Sequence, residues 1–313
     1  MNPSNPDGER FKLRRFAGAS DHAPVSVIVA TLASSARSAL LQRAIASIRA
    51  SSRRAVTIIV VVNGQSFDAV LCQWLKDQSD IVFHYVAAPS APGAICEGRK
   101  LVQTPFFATL DDDDVYLPGM TDQKLFALQA TPQADLLVTN AYLCQDGLDH
   151  LLYQRLHEVP ENPLPCLMQF NWLSSGNALY KTAAVESRHF EAFHPYAEWT
   201  WLAFRLALDG KKIAVMNRAS CRHHNTPESL SKSKLYLESY IPLFERMLAS
   251  APPASIARLI LRKMAAAQHD ASVAALREGR RIDAWRHHWR SLSQAGGWKF
   301  GWKFLTYTRH LCK

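Results

Sequence analysis

The stretch Pro105-Phe106-Phe107-Ala108-Thr109-Leu110-Asp111-Asp112-Asp113-Asp114-Val115-Tyr116-Leu117-Pro118-Gly119 decides how this chain reads. Its first six residues have the length and apolar character of a buried strand. Pro118-Gly119 marks a turn ahead of a new helical pattern. Between them stand four carboxylates that repel one another, and a fold tolerates them only where positive charge or water sits opposite. Acids directly behind a strand lie at its carboxyl end, where open α/β sheets hold their ligands. Hard divalent cations such as Mg2+ and Mn2+ favour oxygen ligands and often bind through one or two carboxylates plus substrate phosphates. The alternative is a solvated acidic loop, but such a loop has no reason to follow directly on a buried strand. The run is expected to be a metal site.

Upstream, Val25–Thr31 and Val56–Val62 are continuous β-branched runs of the kind that form strands buried on both faces. Residues 36–51 place Leu40, Leu41, Ala44, Ile45 and Ile48 at helical spacing. Residues 67–77 and 94–102 read as helices and Ile81–Val86 as a third strand. Strands alternating with helices give a parallel sheet covered on both sides. Downstream, residues 119–130 read as a helix and Asp135–Asn140 as a strand. Asp146-Gly147 turns a hairpin towards His150–Tyr153. Residues 160–175, rich in proline and aromatics, suit a loop over a cleft, and Gly176–Tyr180 a short edge strand. Residues 197–208 form an apolar helix closed by Asp209-Gly210, and Lys212–Met216 a further strand. From about residue 228 the pattern is helical, interrupted at Pro252-Pro253, Glu278-Gly279 and Gly296-Gly297.

A chain of 313 residues with 48% hydrophobic and 10% aromatic content is globular and long enough for one large domain or two. No apolar run approaches the ~18 residues of a membrane-spanning helix. Residues 1–23 read as a flexible polar lead-in without a signal-type apolar core, so the protein is expected in the cytoplasm. Six scattered cysteines without a C-x-x-C pair suit reduced thiols. The net charge of +9 is confined to residues 251–313, with 12 Lys/Arg against 3 Asp/Glu, while the first 250 residues carry 24 of each. A nucleic-acid partner argued from overall charge therefore loses its basis. In the tail Trp285, Trp289, Trp298, Phe300, Trp302 and Phe304 alternate with Arg286, Arg290, Lys299, Lys303 and Arg309. That mixture suits a peripheral contact at the inner face of a membrane. It equally suits helices packing back on the main domain, and less readily stacking on single-stranded nucleic acid.

The order of a VSVIVAT strand, a VVVNG strand end, LDDDDVYLPG, a helix opening with Glu198, and CRHHNTPESLS resembles the family 2 glycosyltransferases, across roughly residues 24–233. The resemblance implies an α/β chain of GT-A fold, a Rossmann-like mixed sheet flanked by helices, with residues 234–313 as a basic helical C-terminal extension. It implies an inverting, metal-dependent transferase taking a sugar from a UDP-, GDP- or dTDP-sugar to a glycan or lipid-linked acceptor, in cell-surface glycan or polysaccharide synthesis.

The family's Asp-x-Asp motif maps onto Asp111-Asp112-Asp113. The resemblance assigns Asp113 to Mn2+ or Mg2+, Asp111 to the donor ribose or the metal's water, and Asp112 to the donor's surroundings. His224 would complete the metal sphere, with Arg222 on the diphosphate and Ser229 and Ser231 on a closing loop. The family opens a helix with an acidic pair that supplies the general base. Here only Glu198 remains, followed by Trp199, which makes Glu198 the base, with Arg205 at the family's offset. Thr31 and Asn63 would abut the nucleoside, although Asn63-Gly64 also reads as a plain turn. The family's Ala-Arg-Asn segment is altered to Gly93–Arg99, leaving Arg99 to supply the donor's cation from a shifted position. Two other readings keep the same residues: an inactive GT-A binding or scaffold subunit, and a nucleotidyltransferase.

Overall fold

Residues 24–224 and 238–301 are described by the structure, a computed structural model. Residues 1–23, Ser229, Ser231 and the end of the tail lie outside the described residues. β1 (Val25–Thr31) lies between β2 (Val56–Asn63) and β4 (Phe106–Thr109), and β2 pairs in turn with β3 (Ile81–Val86), all parallel. Both faces of β1 are covered, because Val27 and Val29 enter one apolar layer while Ile28 enters the other. That is why its sequence is apolar without alternation. One layer carries α1 (Ser38–Ala50), α2 (Ala69–Lys76) and α4 (Met120–Gln129). The other carries α3 (Ala91–Leu101), α5 (Pro163–Leu167) and α7 (Glu198–Leu208), and α6 (Arg188–Glu191) adds Phe190 to it.

Local chemistry sets several of these boundaries. The Asp68 carboxylate accepts from the Val70 and Leu71 amides and opens α2, and Ser90 Oγ accepts from Gly93 N to open α3. Gly98 lets α3 press onto the sheet. A Cβ there would lie 2.4 Å from Ile28 Cγ2 and 3.2 Å from Val61 Cγ2. Gly98→Ala is therefore expected to destabilise the protein by about 1–3 kcal/mol, the usual result of overpacking, read as a lower urea midpoint. An unchanged midpoint would show that α3 moves away without cost.

The remaining strands are β5 (Val115–Tyr116), β6 (Leu136–Gln145), β7 (Leu148–Leu151), β8 (Ala178–Lys181) and β9 (Ile213–His224). The sheet runs β3-β2-β1-β4-β8-β6-β9-β5, with β7 hairpinned onto β6. β8 is antiparallel to both β4 and β6, and β9 is parallel to β6, so β9 points the same way as β1. α7 leads into β9 and so opens at the carboxyl edge of the sheet, the edge where β4 delivers the acidic run.

Three expectations need correction. Ala178–Lys181 is an inner strand and not an edge one, because its buried residues bond on both sides. Residues 160–175 are packed and not an open loop: they include α5, and Trp172 and Leu173 are fully buried. The last strand extends well past Met216, to His224, and that extension carries two histidines to the acidic run.

The C-terminal segment forms α8 (Tyr240–Ala249), α9 (Ala254–Arg277) and α10 (Arg281–Ser293). Leu243, Phe244 and Met247 of α8 and Ile256, Ile260 and Met264 of α9 join the layer that holds α7. The start of the extension thus packs back on the main domain. No described helix is long and apolar enough to cross a membrane.

Candidate active site at the carboxyl edge of the sheet

The acidic run is a tight turn, closed by a bond from Asp114 N to Asp111 O (3.2 Å). The turn splits the four carboxylates by partner. Asp112 is buried and accepts from Thr31 Oγ1 (2.6 Å) and Arg37 Nε (2.9 Å), with the Arg37 guanidinium also on its second oxygen. The bond to Asp112 outweighs burial and raises the Arg37 pKa, so the guanidinium keeps its charge. Asp113 lies 3.2 Å from Arg37 Nη2, and its carbonyl accepts from Arg43 (2.6 Å). Asp114, also buried, meets His223 Nδ1 (2.5 Å) and the His224 amide (2.9 Å). Burial opposes charge on His223, but its neighbours Cys221 and Asp114 overcome it and lift its pKa well above the usual value.

Asp111, Asp113 and Asp114 each place an oxygen within 4.8 Å of the others. Burial first, then the charges of Asp114 and Asp113, push the Asp111 carboxyl up to about 8. Solvent still reaches Asp111, so like-charge crowding is the durable part of that shift, and a cation relieves it. Beside the cluster His224 Nδ1 is buried, with no hydrogen-bond partner among the described residues, 4.0 Å from Asp114 Oδ1. Burial, then the Arg43 charge, lowers the His224 pKa, leaving a neutral imidazole with a free lone pair. Three carboxylates and one such nitrogen fit a Mg2+- or Mn2+-type ion.

Behind the turn, Tyr116 Oη donates to Thr109 O (2.8 Å). The fully buried Lys124 ammonium sits 4.0 Å from the Tyr116 ring centroid and donates to Gly176 O (3.2 Å). Burial pulls its pKa down to about 8.

At the ends of β1 and β2 the polar groups are turned inward. Thr31 Oγ1 accepts from Ala33 N (2.9 Å) while donating to Asp112. Asn63 Nδ2 donates to Thr31 O and its Oδ1 accepts from Ser90 N, both at 3.0 Å. Asn63 ties three chain segments together, and both of its amide atoms are engaged inside the protein, where the side chain is buried. This edge exposes Leu32, and Phe67 edge-on to Tyr85 at 5.3 Å, beside the polar Ser35, Gln65 and Ser66.

Two expected donor contacts have other uses. The Arg99 guanidinium is buried, donating to the carbonyls of Val185 and Thr182 over the Phe107 ring, so it locks α3 to the chain after β8. Arg222 grips Asp149 of β7 through three hydrogen bonds of 2.6–3.0 Å. Glu198 opens α7 in a recess lined by Pro92 and Ile95 of α3, Phe190, Phe193, Trp201 and Leu202, and none of the four aspartates lines it. Burial raises the Glu198 pKa, against the smaller effect of its own helix-end amide.

The family model described as Glycosyl transferase family 2 matches residues 26–196. The chain belongs to that family. Its fold is that of a GT-A glycosyltransferase, and among solved structures it is similar to TarS of S. aureus. The TarS 1–349 structure in complex with UDP-GlcNAc superposes with a TM-score of 0.58 at 16% identity, covering 82% of this chain and 75% of that one. TarS 1–349 without a named ligand gives 0.54 at 14% identity, covering 86% and 90%. The longer TarS structure gives 0.55 at 16%, covering 77% and 42%. No curated protein matches the sequence.

In this family 2 glycosyltransferase the matched stretch contains the whole acidic turn and stops before Glu198 and His224. Sequence reasoning passed over Arg37 and Arg43, and it weighed His223 only as a lesser metal or phosphate contact than His224, not as the partner of Asp114. Four adjacent carboxylates did demand such partners. Nothing local identifies them, because they come from α1, its preceding turn and the far end of β9.

Proposed function

We propose that this glycosyltransferase is an inverting, metal-dependent enzyme that moves a sugar from a nucleoside-diphosphate donor to the hydroxyl of a glycan or lipid-linked acceptor. The observation that carries the reading is the meeting of Asp111, Asp113 and Asp114 beside the unpartnered His224 Nδ1. These four would hold Mn2+ or Mg2+, which when bound there neutralises charge growing on the departing diphosphate.

The chain's own residues supply the rest of the proposal. Arg37 and Thr31 hold Asp112, and His223 holds Asp114, so the turn keeps its shape before any ligand arrives. Leu32, Phe67 and Tyr85 offer the nucleoside an apolar surface at the ends of β1 to β3. Glu198 takes the proton of the acceptor hydroxyl, from a recess whose aromatic walls limit water. The recess opens at the same edge of the sheet as the acidic turn, which the direction of α7 dictates.

A thermal-stability panel of UDP-, GDP- and dTDP-sugars, each with and without Mn2+, tests this reading. TarS carries UDP-GlcNAc in its crystal structure, so UDP-sugars come first. The expected result is one donor class that raises the melting temperature only with Mn2+. A ligand at 100 times its Kd contributes about 2.7 kcal/mol, a rise of several degrees. Stabilisation by nucleotide that is indifferent to Mn2+, or none with any donor, would overturn the metal-dependent reading.

A further inference from the structure

The outer half of the C-terminal extension carries a surface that the transferase chemistry does not use. Ser272 Oγ donates to Ala284 O and Ser291 Oγ to Ala265 O, each at 2.7 Å, and His287 Nδ1 lies 2.7 Å from Gln268 Oε1. These contacts fix the side of α10 that faces α9, where Ala284, His288 and Ser291 are buried. The other side, at helical spacing, carries Ile282, Arg286, Trp289 and Arg290. Ile282 is 77% exposed and Trp289 62%. Trp298, in the tight turn that follows α10, is 74% exposed. A Cβ on Gly297 would lie 1.8 Å from Ser291 O, so only glycine lets the chain fold back there onto the end of α10.

Large apolar side chains thus stand in water between the exposed cations Arg281, Arg286, Arg290 and Lys299. We propose that this face of α10 and the turn after it rest on a bilayer containing anionic lipid. Indole rings settle at headgroup depth, and the cations meet lipid phosphates. Charge selects this occupant. Residues 251–313 hold 12 Lys/Arg against 3 Asp/Glu, so a second copy would bring like charge against like, whereas an anionic bilayer complements it. The exposed groups also lie along the convex side of a helix, which suits a flat surface better than a strand of nucleic acid, whose binders use grooves. The inference stands apart from the metal and donor reading, because vesicle binding requires no transfer.

The test is sedimentation of the full chain with vesicles of phosphatidylcholine and phosphatidylglycerol in equal parts, beside phosphatidylcholine alone. Binding to the mixed vesicles only, stripped by salt, is expected. Each cation at such a surface is worth roughly five-fold in partitioning, so the double variant Arg286→Glu, Arg290→Glu should bind the mixed vesicles at least ~10-fold less. Trp289→Ser should also bind less, with a melting curve like the parent's. Should that variant fold poorly, the charge-reversal pair decides, since both side chains are exposed and the contact it gives up, Arg286 to Asp283, is a surface ion pair worth little to the fold. No binding by the parent at low salt overturns the proposal, as does parent-like binding by the charge-reversed pair. A loss of self-association in these variants, with vesicle binding intact, would assign the face to a second copy instead.

Discussion

Asp113→Ala is expected to lose Mn2+-dependent nucleotide binding, by more than about 100-fold, while the fold survives. Asp113 is one of three carboxylates whose oxygens lie within 4.8 Å of one another. It is also the one of the three that Arg37 touches, at 3.2 Å. Removing it takes away an oxygen donor and leaves the buried pairs Asp112–Arg37 and Asp114–His223 untouched. It also removes one repelling charge, so the melting temperature without ligand should stay level or rise. Calorimetric titration of the nucleotide with and without Mn2+ reads the first effect, and thermal unfolding the second. Unchanged Mn2+-dependent affinity would take Asp113 out of the metal site.

Glu198→Gln is expected to bind donor normally and to transfer sugar ~10²–10⁴-fold more slowly, the usual worth of a positioned general base. The substitution keeps shape and removes the proton acceptor. Burial raises the Glu198 pKa, and a base works only when ionised, so wild-type transfer should rise with pH through that raised value and then level off. The variant should lack this limb. Stability should move in the opposite sense. A carboxyl with a folded pKa above its unfolded one favours the fold at low pH and loses that contribution as pH rises through the folded value. Glu198→Gln should therefore melt higher than wild type at neutral pH and alike at low pH. Transfer at the wild-type rate would place the base elsewhere. Donor binding by a wild type that transfers to no acceptor would favour the binding-subunit alternative.

The sheet was legible because its strands are buried on both faces. Val25–Thr31 and Val56–Asn63 have no room for polar alternation, and the helices between them show apolar spacing with side-chain caps at Asp68 and Ser90. The acidic run was legible as a site because its charge is intolerable without partners. What stayed hidden depends on contacts between distant segments. Arg99 reads as a spare cation, yet its carbonyl partners lie beyond β8. Asn63 reads as a nucleoside contact or a turn, and nothing in the sequence shows that its amide bridges Thr31 and Ser90. β8 reads as an edge because a short strand gives no hint of how many neighbours it has. His223 and His224 were visible as residues. Their division of labour, one pairing with Asp114 and one left with a bare nitrogen, follows from strand alternation at the end of β9.

The short strand β8 is the seam between a half-sheet built from β1 to β4 and another built from β6 and β9. The acidic turn straddles that seam. Asp112 is tied to Thr31 in the first half, across 81 residues of chain, and Asp114 to His223 in the second, across 109. Contacts of such long sequence separation close slowly and late in folding. The site is therefore expected to form only after both halves have docked. Amide exchange in the native protein should reflect this: any opening that parts the halves pulls on a two-residue span between anchors and dismantles the turn in one step.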